Sequence, residues 1–190
     1  MADVLYTAPT SEPLALDEAK EHLRVDGTDE DMLISSFIIA AREYCESYLN
    51  KSLVTQTRDL WLDSWPCADY LKLKAPLASI TSVKYYDTAN VEYTMTATDY
   101  FADTKSTPGR VGLAYCKTWP TTTLRPFNGI VIRYVSGYGD ADDIPQLTKN
   151  AMLLLVGHLY KNRESTVEQA LTEIPFGVKS LLGLDRVVPT

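Results

Sequence analysis

PQLTKNAMLLLVGHLYKNR, residues 145–163, is the stretch from which the fold can be read. At about 100° per residue, its one continuous polar stripe is Asn150, Gly157 and Lys161. Leu147, Ala151, Leu154, Leu155 and Leu159 cover one side, and Met152, Leu153, Val156 and Tyr160 continue round the back. A helix on the surface of a monomer normally shows a single apolar face. This helix therefore reads either as the central rod of a domain or as a rod packed by its own subunit and by another. Pro145 near the first helical position and the acids at 140, 142 and 143 before it are start signals.

Upstream of it, from residue 53 to 137, the apolar period changes from helical to two. Strands are predicted at 55–62, 70–73, 80–86, 91–95, 99–102, 110–115 and 129–136. Turn chemistry separates them: Trp65-Pro66, Asp87-Thr88-Ala89-Asn90, Thr107-Pro108-Gly109 and Gly137-Tyr138-Gly139. No parallel βαβ pattern occurs, so the strands are expected to be antiparallel. The run 116–128, with Pro120 and Pro126, is the longest irregular stretch within this region.

Further upstream, Thr28 or Asp29 is expected to cap a long helix reaching about residue 50, with Asp29, Glu30 and Asp31 favourably placed at the positive end of its dipole. Leu33, Ile34, Phe37, Ala40, Ala41, Tyr44, Cys45 and Tyr48 form its broad apolar arc. Met32 and Ile39 make a thin second stripe on the polar side, slightly costly in a monomer and natural at a subunit contact. A short helix at 16–25 precedes it, closed by the Asp26-Gly27 turn, and residues 1–13 read as extended. Downstream of the starting helix, ESTVEQALTEIP is polar and reads as mobile, and FGVKSLLGL at 176–184 is a short apolar motif with Val178, Leu181 and Leu182 at one-turn spacing.

The pattern predicts an α+β protein: a helical bundle of two long helices plus short ones, from 14–50 and 144–163, with an antiparallel β region inserted at 53–137 and a mobile tail at 164–190. At 190 residues, 45% hydrophobic and 23% charged, the chain can bury a real core. Its net charge of -7 argues against an extended nucleic-acid surface. The three cysteines are scattered and odd in number, the start lacks the features of a signal peptide, and the longest apolar run is too short to span a membrane.

The case for catalysis is weak. GDADD at 139–143 lacks the spacing of a calcium loop and reads as helix capping. His22 and His158 stand apart with no metal-ligand pattern, and there is no phosphate-binding loop or nucleophile elbow. Cys45 lies on an apolar helix face, and Cys67 and Cys116 sit in loops without an activating histidine. No catalytic residue, metal or cofactor is expected.

The order of segments resembles the head–tail connector (adaptor) proteins of tailed phages, in a long form with a β insertion. The resemblance is carried by LDEAKEHLRVDGTDED at 16–31, IIAAREYCESYLNKSLVTQT at 38–57, VSGYGDADDIPQLTKNAMLLLVGHLYKNRE at 135–164 and EIPFGVKSLL at 173–182. The GYG–IP–helix–YKNRE string is its most specific part. It departs at the end, where Leu184-Asp185-Arg186 stands instead of an aromatic next to arginine. The resemblance implies a structural, non-enzymatic virion protein made in the bacterial host cytoplasm. It implies a ring, usually twelve-fold, beneath the portal protein, which extends the DNA channel without binding DNA specifically and docks the next tail-completion or stopper protein. The candidate contact residues are then Met32, Ile39, Met152, Leu153, Val156 and Tyr160 on the long helices, and Phe176, Val178, Leu181 and Leu182 in the tail. The alternative is a small β-rich module binding a peptide or carbohydrate, which would gather Trp61, Trp65 and Trp119 into one exposed concave cluster.

Overall fold

The computed structural model describes residues 1–163 and 176–188; the stretch 164–175, where a mobile tail was expected to begin, lies outside the described residues. The chain forms two compact units, one of residues Met1–Thr10 and Thr55–Tyr138, the other of Ser11–Val54 and Gly139–Thr190.

The helical unit begins with α1, Leu16–Leu23, whose Asp17 and Glu18 face the positive end of the dipole. It stops because Arg24 turns left-handed (φ 58°) and returns its N–H to the Lys20 and Glu21 carbonyls. The long helix α2 spans Asp31–Leu49 and ends on Asn50 in the same left-handed conformation. The expected side-chain cap from Thr28 or Asp29 does not form. The Asp31 N–H reaches the Thr28 carbonyl instead, at 3.2 Å, and the N-cap position falls to Glu30, which makes no side-chain cap bond. The side chains of Glu30 and Asp31 are engaged elsewhere, Glu30 by Tyr160 and Arg163 and Asp31 by Lys20 at 2.7 Å.

Helix α3, Gln146–Lys161, follows a 3-10 turn at Ala141–Asp143 closed by a reciprocal Asp140–Asp143 capping box. Capping of this turn is thus what Asp140 and Asp143 do, while Asp142 stays exposed, 4.0 Å from Lys149. Gly139 sits at φ +136°, where a Cβ would come within 2.1 Å of the Asp143 carboxylate, so the turn accepts only glycine there. Helices α2 and α3 pack along each other and run antiparallel. Glu30, just before α2, pairs with Arg163 beyond the end of α3 at 2.7 Å, while Val54, beyond α2, bridges to Gly139 ahead of α3. Ile34, Ile38, Ala41, Cys45 and Leu49 from α2 meet Ala151, Met152, Leu155 and Val156 from α3 in the core, all at 3% exposure or less.

Charges are also built into this unit. Arg42, buried, donates to Glu12 at 2.8 Å and to Glu46 at 3.4 Å, and Glu46 accepts the Leu53 N–H at 2.8 Å. Such a group is tolerated inside because each charge meets its opposite or a backbone donor.

The β unit holds a five-stranded antiparallel sheet in the order β1-β2-β8-β4-β5 and a three-stranded sheet in the order β3-β7-β6. The strands are β1 Ala2–Thr7, β2 Gln56–Leu62, β3 Tyr70–Lys72, β4 Leu77–Tyr86, β5 Glu92–Thr94, β6 Tyr100–Asp103, β7 Arg110–Leu113 and β8 Ile130–Ser136. Central strand β8 is buried at Ile130, Val131, Ile132 and Tyr134, and its two ladders pair Leu60 with Ile132 and Val83 with Ile132. One apolar face of the large sheet, with Leu60, Leu62, Val83, Ile130, Ile132 and Tyr134, packs with Leu73 and Val111 into a single core. Strand β4 bends at register shifts between Leu77 and Ser79 and between Ile80 and Ser82. The N-terminal extension proved to be more than extended chain: as β1 it forms one edge of the large sheet, pairing with β2.

Candidate assembly surfaces

The candidate contact residues divide sharply. Met32 is 90% exposed and Ile39 41% exposed, seven residues apart on α2. Met152 and Val156 are wholly buried against α2, so they serve the fold of this unit and offer nothing to a second subunit. Leu153 and Tyr160 are half-buried, and the Tyr160 hydroxyl donates to the Glu30 carboxylate, which also binds Arg163. These two partners hold the Glu30 carboxyl below its ordinary range, the tyrosine first, and the carboxylate in turn raises the Tyr160 hydroxyl. Tyr160 thus fastens the end of α3 to the start of α2.

The apolar residues that α3 does expose are Leu147, at 37%, and Leu154, at 44%. They flank the polar stripe of Asn150 and Lys161 on the helical wheel, and that adjacency was the signal available in the sequence.

The tail motif is a helix, α4, Phe176–Gly183. Val178 and Leu182 are buried, at 0% and 2% exposure, and Leu181 is half-buried, while the side chain of Phe176 lies outside the described residues. Helix α4 packs on α3 and α2 within its own unit. Beyond it, Val187 donates its N–H to the Leu49 carbonyl at 2.9 Å, Lys51 pairs with Asp185, and the Arg186 guanidinium lies 5.0 Å from the centre of the Tyr48 ring. The expectation of a short motif awaiting a partner is corrected for Val178 and Leu182: their one-turn spacing fits a groove at home.

Potential binding chemistry in the β unit is neutralised from within. The outer face of the large sheet holds a shallow depression of about 110 Å³ lined by Asp59, Trp61, Ser82, Lys84, Tyr86, Glu92, Val131 and Arg133. Arg133 grips Asp59 through two bonds of 2.8 Å and lies 3.4 Å over the Tyr6 ring, and Lys84 and the Tyr86 hydroxyl both donate to Glu92 at 2.7 Å. The Asp59 bonds raise the Arg133 guanidinium further above its already high range. Every charge lining the depression is held by another, so none is poised to act on a substrate.

The three tryptophans do not gather. Trp65 and Trp119 stack at 4.7 Å against the inner core, with Trp119 donating to the Ala68 carbonyl, whereas Trp61 lines the depression on the outer face. That removes the cluster on which a carbohydrate or peptide module would rest. Among the described residues no three His, Cys, Asp or Glu side chains are placed to hold a metal. The His22 ring packs over Gly157, and His158 contacts Asn162. The Cys45 thiol is pushed up to about 12 by burial, and then by Glu46, so it stays protonated and inert. Among the described residues no helix is long and apolar enough to cross a membrane.

Comparison with known proteins agrees with this picture of a scaffold. No curated protein matches the sequence. Residues 14–95 match the model of the phage gp6-like head–tail connector proteins. Among solved structures, a chain in the neck of an empty gene transfer agent particle resolved under six-fold symmetry is 26% identical, with a TM-score of 0.81 over 100% of this chain and 97% of that one. A chain in the virion of the native particle is 26% identical with a TM-score of 0.80 over the same shares. One in the native neck resolved under twelve-fold symmetry, 24% identical over the same shares, has the same fold at a TM-score of 0.82. Residues 14–95 are thus similar to phage head–tail connector proteins, and the whole chain is similar in fold to a chain of a particle neck.

Proposed function

We propose that this protein is a head–tail connector of a phage-like particle. It assembles as a ring, twelve-fold in the particle, beneath the portal protein, continues the DNA channel and offers its far surface to the next tail-completion protein. The observation that carries the reading is the full-length likeness, at 26% identity, to a chain of a particle neck. The twelve-fold symmetry of a neck containing the same fold supports the ring. The chain's own surface agrees: Met32, Ile39, Leu147 and Leu154 are apolar side chains exposed on its two long helices, as a subunit contact requires.

The channel role draws support from charge. A net charge of -7 per copy, multiplied round a ring, repels a duplex carrying one charge per ~1.7 Å and lets it pass without being held. The protein belongs in the finished virion, at the head–tail junction.

The test is particle assembly without this chain. Filled heads and separate tails should accumulate, and adding the purified protein should join them. Normal tailed particles formed in its absence would refute the connector role.

A further inference from the structure

We propose that the ring contact joins the outer face of α2 in one copy to the outer face of α3 in the next, with the helices antiparallel and Ile39 set against Leu147. This deepens the connector reading and rests on it.

The two faces share an unusual composition. The positions of α2 open to solvent are Met32, Ser36, Ile39, Ala40, Glu43 and Ser47, a single helical stripe with one charge in it. The open positions of α3 are Gln146, Leu147, Asn150, Leu154 and Lys161, again with one charge. A solvent face that must only stay wet is normally charged. Each stripe instead carries two large apolar residues seven positions apart, about 10.5 Å along a helix rising ~1.5 Å per residue. The two spacings are therefore equal. Ser36 and Ala40, small and exposed, flank Ile39 and let a second helix come close.

The faces also suit a contact that closes. Each stripe lies opposite the buried positions of its own helix, and those buried positions meet each other in the core, so the stripes look away from one another. Two different surfaces on opposite sides of one unit are what a head-to-tail ring needs; a two-fold dimer would reuse a single surface.

Direction follows from symmetry. A twelve-fold step turns every helix by about 30° at most, whatever its tilt to the axis. The neighbour's α3 thus keeps nearly the direction of the copy's own α3, which is antiparallel to α2. In that orientation the equal spacings pair Met32 with Leu154 and Ile39 with Leu147. The same register brings Lys161 of the neighbour to the acidic lead-in of α2, where Asp26 and Asp29 are exposed. Opposite charges then meet where the apolar pairing ends.

The experiment uses the full chain with Cys67 and Cys116, both exposed, changed to serine. One preparation carries Ile39→Cys and another Leu147→Cys; each is oxidised alone and mixed, beside sedimentation of the same samples. The expected result is rings in every sample and cross-linked dimers at least ten-fold more abundant in the mixture than in either variant alone. Rings with no cross-link in the mixture, or Ile39→Cys pairing with itself, would overturn this contact and leave the ring standing. No oligomer in any sample, including the unmodified protein at high concentration, would overturn the ring and this contact together. A charge exchange gives an independent reading: Lys161→Glu should lower the assembled fraction, and adding Asp29→Lys should restore it. Failure of the second change to restore assembly would refute the register.

Discussion

Replacing Leu182 by alanine should unfold the helical unit at a distinctly lower temperature. Leu182 is 2% exposed and sits on α4, one turn from the fully buried Val178, in the groove formed with α2 and α3. Truncating a leucine at such a site removes its transfer energy and leaves a cavity, together about 2–5 kcal/mol. The lower half of that range applies, because α4 is a short terminal helix free to settle into the space. A loss of about 3 kcal/mol in a chain of this size lowers Tm by about 6–12 °C. Leu184 is the control: two residues on and 81% exposed, its change to alanine should move stability by no more than about 0.5 kcal/mol. Calorimetry of the two variants beside the unmodified protein provides the comparison. Equal melting temperatures for Leu182→Ala and Leu184→Ala would refute the docking of α4 on its own unit. They would return the motif to the role of a free segment awaiting a partner.

Three further outcomes are expected. A thiol reagent at pH 8 should modify Cys67 and Cys116 in the native protein and reach Cys45, whose pKa burial has pushed up to about 12, only on unfolding; rapid reaction of all three would contradict the packing of α2. Asp103 accepts bonds from the Ser106 hydroxyl, Arg110 and the Lys105 N–H, which hold its carboxyl well below the ordinary range. A depressed folded-state pKa stabilises above the ordinary aspartate range and the benefit fades as pH falls through the folded value, so Asp103→Asn should weaken the β unit at pH 7 and progressively less below pH ~4 in denaturant titrations. A mutational effect independent of pH would contradict this. In a gel-shift titration near physiological salt the free protein should not retard duplex DNA, and salt-sensitive binding at micromolar protein would replace the passive channel by a nucleic-acid-binding role.

The sheet was legible because strands at 56–62 and 130–136 alternate or run apolar between clear turns, and their period differs from that of the flanking helices. Strand β1 was not, because all six of its residues are exposed and it has no inner face to imprint a pattern. The capping acids at 140 and 143 could be read from local chemistry, which needs only three residues of chain. The contact surface was half legible. Met32 and Ile39 stand out as apolar residues on a polar stripe, but α3 is apolar nearly all round, and periodicity alone does not say which of its sides the subunit itself covers. The structure covers Met152 and Val156 and leaves Leu147 and Leu154 open. For α4 the ambiguity is intrinsic: an apolar pair at one-turn spacing has the same sequence whether its groove lies in the same chain or another.

The most direct test of the central claim is negative-stain imaging of the purified protein at high concentration. The account predicts closed rings of one size whose class averages show twelve-fold symmetry around an open channel. Monomers alone, or open filaments with no closed ring, would contradict it.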